Sequence, residues 1–299
     1  MSRMVQVDEW YLQDLADAIR AKANTDKKML ISDMAPTIDN LPFNGAGDDI
    51  VGESMRKVFL RHEDAGGDGA ITLILPSNAY RIPTSMFKSN GTIGEVMFEN
   101  NSAPNFNYIG QEAFSSNNFL RTFHFPPSTN NIDLGAFRYC SNFNVDKLPD
   151  NLQYMGNHVF RDCTNLTISE LPPKLTTIPD GTFRGCTRLN ITTVPEGITS
   201  IGSYGLDSAC MPGTTRELLT LPSTLQSIAS QGCANQNFKK IRFMGTPSQT
   251  GIASTAFSYS QPLTDIYVPW GYSSVVLNAP WGATNATIHY NTAPDEVIE

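Results

Sequence analysis

Apolar residues recur along most of this chain at a fixed long interval rather than in isolated clusters. The phrases FRYCSNF, FRDCTNL and FRGCTRL begin 23 residues apart, at Phe137, Phe160 and Phe183. The full unit, taken from Ile178, reads IPDGTFRGCTRLNITTVPEGITS, and equivalent start residues are Ile82, Ile109, Ile132, Met155, Ile201, Ile228 and Ile252. Five residues after each start stands Phe87, Phe114, Phe137, Phe160, Phe183, Leu206, Cys233 or Phe257. A proline precedes most starts by six residues, at Pro76, Pro126, Pro149, Pro172, Pro195 and Pro222, where it can end a strand without removing a ladder bond. A period of this length is the signature of a solenoid, because one unit cannot bury its own apolar side and must stack on its neighbours. The pattern therefore predicts about eight coils, each with a strand-like stretch, a turn and a half-turn of helix, sharing a Phe spine. Two longer intervals place extra residues, ENNSAPN and SACMPGTTR, in outward loops.

If the strands alternate, the residue two before each proline or its equivalent faces outward. This rule selects His124, Lys147, Glu170, Thr193, Thr220, Arg242 and Tyr267. Of these, His124, Lys147, Glu170, Arg242 and Tyr267 form the candidate ligand-contact face, against the plain alternative of a solvated surface. Val145, Ile168 and Ile191 put an apolar residue one place early, so the strands there are expected to be irregular.

Both ends depart from the repeat. Trp10, Leu12, Leu15, Ile19 and Ala23 follow a helical spacing, with Asp8 as N-cap, and a second short element ends near Pro36. The first four are the candidate assembly-helix residues, needing a partner surface that could be another protein or the same helix of a second subunit. NGAGDD and DAGGDG flank the strand-like MRKVFLRH. Neither completes a calcium loop, and they read as a linker and a hairpin loop. Near the other end, Trp270, Trp281 and Tyr290 supply large rings to close the last coil. The expected organisation is a helical attachment module at 1–43, a linker and hairpin at 44–70, the solenoid at 71–276 and a cap at 277–299.

The run Ile-x4-Phe-x2-Cys-x2-Leu followed by Leu-Pro-x2-Leu-x2-Ile resembles the BspA-type (Treponema-type) leucine-rich repeat over about residues 71–276. That resemblance implies a mostly β, right-handed repeat solenoid used for adhesion and binding, without catalysis. LADAIRAKANTDKKMLISDMAPTIDNL is similar to a module of phage and prophage tail-associated proteins, although it lacks their Lys-Thr-Gly turn. DIYVPWGYSSVVLNAPWGATNATIHYN resembles the ending of many phage repeat proteins.

Composition narrows the function classes. The chain is 40% hydrophobic and 17% charged with a net charge of -8, which disfavours disorder and a nucleic-acid partner. No apolar run suits a membrane span, and the N-terminus lacks a signal-peptide core. Cys140, Cys163 and Cys186 repeat at one position. Three in a line cannot all pair or surround a metal, so a buried packing column is expected. His62, His124, His158 and His289 match no catalytic motif, and no cofactor is implied. Paired catalytic carboxylates stay open because such partners meet in space.

These features lead to the expectation of a non-catalytic phage tail, baseplate or receptor-binding component. It would be made in the host cytoplasm and located in the virion tail. Its N-terminal module would contact other tail proteins and its solenoid a host-surface glycan or protein. The alternatives are a bacterial cell-surface leucine-rich-repeat adhesin and, third, a glycan-degrading enzyme.

Overall fold

The computed structural model describes residues 59–62, 70–207, 215–248, 251–271 and 279–293. The candidate helix with Trp10, Leu12, Leu15 and Ile19, both Gly/Asp clusters, Cys210 and most of SACMPGTTR lie outside these residues.

The repeat start residues form a ribbon of very short strands. They are β3 (Arg81–Ile82), β5 (Tyr108–Ile109), β7 (Asn131–Ile132), β8 (Tyr154–Met155), β9 (Thr177–Ile178), β10 (Ser200–Ile201) and β12 (Ser227–Ile228). Ile82, Ile109, Ile132 and Met155 pair in parallel register, as do Ile178, Ile201, Ile228 and Ile252. Each start side chain points inward and is buried. Each of the six prolines opens a turn, its carbonyl accepting from the N–H three residues on, as in Leu152 N to Pro149 O at 3.0 Å.

Longer strands form a second ribbon. At one end β1 (Phe59–His62) pairs antiparallel with β2 (Ile71–Leu75), which continues in parallel to β4 (Ile93–Phe98) and β6 (Thr122–Phe123). The antiparallel pair is the hairpin expected around DAGGDG. At the other end β11 (Arg216–Leu221), β13 (Phe238–Phe243), β14 (Asp265–Tyr267) and β15 (Thr287–His289) are all parallel. Thus β15 extends the same ladder past residue 276.

The third side of each coil corrects one expectation: it holds a run of turns in place of a half-turn of helix. In most coils the described residues three and seven after the start have positive φ, including Glu112 (51°), His158 (59°), Tyr139 (64°) and Asp162 (60°). That conformation breaks a right-handed helix and is uncommon outside glycine. Here alternate N–H groups are aimed at the next coil. Ser85, Phe87 and Ser89 donate to the carbonyls of Gln111, Ala113 and Ser115 at 2.8, 2.8 and 2.7 Å, and later coils repeat the pattern. Hydrogen bonding between coils thus holds each residue in a backbone state it would otherwise avoid.

The core lies between these three sides. Phe87, Phe114, Phe137, Phe160 and Phe183 stack with centroids 5.3, 5.4, 5.6 and 5.7 Å apart. Trp281 is fully buried against Phe243 and Phe257, with Trp270 6.4 Å away, so large rings close the last coil. Cys140, Cys163 and Cys186 are free and buried, and each thiol donates to a Phe carbonyl of the preceding coil at 3.0 to 3.1 Å. Asn117 occupies the same place one coil earlier and makes the same bond to Phe87 O at 2.6 Å. The column therefore combines packing with a hydrogen-bond donor.

Candidate functional site

The face selected by the outward-position rule lies on the long-strand ribbon. Its regular part is near the C-terminal end, where Thr193 bridges Thr220, and Thr220, Arg242, Tyr267 and His289 occupy successive paired rungs. Leu221, Phe243 and Val268 follow them in sequence and are buried, so strand alternation turns these polar residues outward. The Tyr267 and His289 rings stack at 4.5 Å and 13°. His289 Nε2 lies 2.6 Å from Asp265 Oδ1. Burial opposes ionisation of Asp265, yet hydrogen bonds from Thr264 and His289 hold its carboxyl below the usual range.

At the opposite end His124 follows β6, its N–H bonded to Val96 O at 2.9 Å. Its Nε2 is 2.6 Å from Glu95 Oε1, while Thr72 Oγ1 donates to Glu95 Oε2 at 3.1 Å. Met97, paired with Ile74 one rung back, adds a half-buried apolar residue beside it.

Lys147 and Glu170 lie between these two regular parts. Val145, Ile168 and Ile191 are buried where alternation would put an outward residue next to them, and the ribbon loses its regular pairing. Among the described residues, no neighbouring coil accepts from the N–H groups of 145–148. Asn144 Oδ1 instead accepts from Thr167 N and Oγ1 at 2.9 and 3.0 Å. Lys147 is exposed and paired with Asp150 at 3.0 Å, and Glu170 is exposed. The structure thus places Arg242 beside Tyr267 but spreads His124, Lys147 and Glu170 along the ribbon as separate positions. His289, Asp265 and Glu95 were missed by the rule because it was anchored on prolines. Continuing the column by coil spacing would have found His289.

Among the described residues, no group of three or more His, Cys, Asp or Glu could hold a metal ion, and no helix is long and apolar enough to cross a membrane. What the face offers is a polar, in-register surface for contact. The model of the BspA type leucine rich repeat region matches residues 69–144, 107–212 and 206–279, with six copies. The chain belongs to this family. As a BspA type repeat protein it is similar to the solved leucine rich repeat protein of T. pallidum, with 18% identity over 72% of this chain and 91% of that one and a TM-score of 0.44. It is also similar to a leucine rich cell surface protein of Faecalibacterium prausnitzii, with 15% identity, coverage of 76% and 83% and a TM-score of 0.39. The pneumococcal vaccine antigen PcpA shares 14% identity, with 73% of each chain covered and a TM-score of 0.33. No curated protein matches the chain.

Proposed function

We propose that this BspA type protein is a non-catalytic surface-binding protein, an adhesin of the leucine-rich-repeat class that contacts a cell-surface protein or glycan through its solenoid. The observation that carries the reading is the in-register outward column of Thr220, Arg242, Tyr267 and His289, a broad polar surface fixed by backbone pairing. Family membership supports the same role.

The test is binding of labelled full-length protein to intact bacterial cells, alongside Arg242→Ala and Tyr267→Ala. Loss of binding in both variants with unchanged melting is expected. Absence of cell binding by the wild-type protein would overturn the reading. A second reading, a phage tail or baseplate component, draws support from the resemblance of both terminal segments to tail-associated proteins. Antibody detection separates the two: signal on intact producing cells favours the adhesin, and signal in purified phage particles favours the tail component.

A further inference from the structure

A second outward surface runs along the short-strand ribbon. Its two columns are the residues one and two places before each start. The column two places before runs from Tyr80 to Gln226 at the repeat interval without one charged side chain. In the coils starting at 109, 132 and 155 the two columns hold Asn107 and Tyr108, Asn130 and Asn131, and Gln153 and Tyr154. Register fixes their order, since Tyr108, Asn131 and Tyr154 are direct partners on β5, β7 and β8. The rings inside these same coils are spaced 5.4 and 5.6 Å apart. Two tyrosines therefore stand two coils apart with a short amide between them.

Some exposed amides on other sides of the coils are zipped from coil to coil. Asn165 Nδ2 donates to Asn142 Oδ1 at 3.2 Å, Arg188 to Asn165 Oδ1 at 3.1 Å, and Lys174 to Asn151 Oδ1 at 2.7 Å. The side-chain amides of Asn107, Asn130, Asn131 and Gln153 bond to no described protein group. Asn131 Oδ1 is buried and still has no partner. At the exposed Asn107 and Gln153 the free amide offers donors and an acceptor side by side. Tyr154 is 51% exposed, and Tyr108 is held in place by donating to Asp133 Oδ2 at 2.7 Å.

We propose that this face binds a neutral saccharide, with Tyr108 and Tyr154 packing on the C–H surfaces of sugar rings and the amides of Asn131, Asn130 and Gln153 pairing with hydroxyls. Within these three coils neither column carries a charged side chain, although Arg81 borders Tyr108 in the preceding coil, and this disfavours an ionic partner. An extended peptide finds little edge to join, because β5 and β7 are paired on both sides and the coil of β8, the last strand of its sheet, is bonded to the next coil through His158 N to Asp180 O and Phe160 N to Thr182 O. A saccharide needs no edge: its hydroxyls match amide pairs, and its apolar faces match rings that also carry a polar tip.

The inference rests on the surface-binding reading and adds a site and a ligand class to it. Full-length protein is titrated calorimetrically with maltotetraose, cellotetraose and chitotetraose. At least one should bind, and Asn131→Ala and Tyr154→Ala should each weaken it by about tenfold. Lys174→Ala and Arg188→Ala, exposed residues outside both faces, should leave it unchanged, and melting curves check that the variants fold. Failure of all three sugars at millimolar concentration, or affinity that survives both substitutions, overturns the proposal. Cell binding by the wild-type protein distinguishes this outcome from failure of the adhesin reading, which predicts such binding whatever the sugars do.

Discussion

His158 illustrates how much one position is constrained by the coils around it. Its φ is 59°, its Nδ1 is buried, and burial together with Arg161 and Arg138 pushes its pKa below the usual value against the opposing pull of Asp180 and the Gly181 backbone. The unfolded chain therefore takes up this proton more readily than the folded one. Stability from this site is complete above the ordinary histidine pKa of about 6.5 and is lost as pH falls below it. Gln231 occupies the equivalent place at φ 54°, so His158→Gln keeps the backbone and removes the titration. Between pH about 7.5 and 5 the melting midpoint of the wild type should fall further than that of the variant, and parallel slopes would refute this. Two residues on, Phe160 is fully buried between Phe137 and Phe183, and Phe160→Ala should cost about 3 to 5 kcal/mol, read as a lowered melting midpoint. The cysteine column answers to the same burial. The Cys140 thiol is pushed up to about 12 and Cys163 and Cys186 are also raised, each chiefly by burial. These three thiols should stay silent to a disulfide reagent until denaturant is added, and fast native reaction would show that the column is open.

At the scale of elements, the irregular stretch between β6 and β11 depends on a side chain doing the work of a ladder. Asn144→Ala removes the acceptor for Thr167 N and Oγ1 and should cost about 1 to 3 kcal/mol in thermal unfolding, since the half-buried N–H is left unpaired. An effect near zero would mean that water replaces the amide there. The start residues and the spine were legible in the sequence because one Ile and one Phe recur at a nearly constant interval and both are buried. The irregular strands were legible as well, from the displaced Val145, Ile168 and Ile191. The turn side was not, because most of its positive-φ positions hold Ser, Glu, His, Tyr, Asp, Asn or Gln, with glycine only at Gly135, Gly181 and Gly185 among the described ones, and the bonds that enforce the conformation come from the next coil. The candidate face was legible only as separate positions. Alternation selected Thr220, Arg242 and Tyr267, but the pairing of His289 with Asp265 and of His124 with Glu95 depends on which rungs become neighbours.

Across the whole molecule, each coil is stabilised by its neighbours, so cooperativity is only as strong as the weakest interface between coils. Two aromatic groups dominate the core. One runs from Phe87 to Phe183 and includes Phe98, Phe106, Phe123 and Phe143, and the other joins Phe243, Phe257, Trp270 and Trp281. Between them the spine passes through Leu206 and Cys233, which fill the same inward position with less surface. Burial free energy scales with the apolar area removed from water, so this waist is the interface at which unfolding should divide. Trp270 and Trp281 both belong to the second group, and Trp10 is the remaining tryptophan. In a Trp10→Phe protein, tryptophan fluorescence therefore reports the C-terminal group alone, while circular dichroism reports all coils. Urea unfolding should give a fluorescence transition that does not coincide with the dichroism transition, and Cys233→Ala should widen the gap by weakening the waist further. Coincident transitions in both proteins would show that backbone bonding between coils carries cooperativity through the waist regardless of the side chains that fill it.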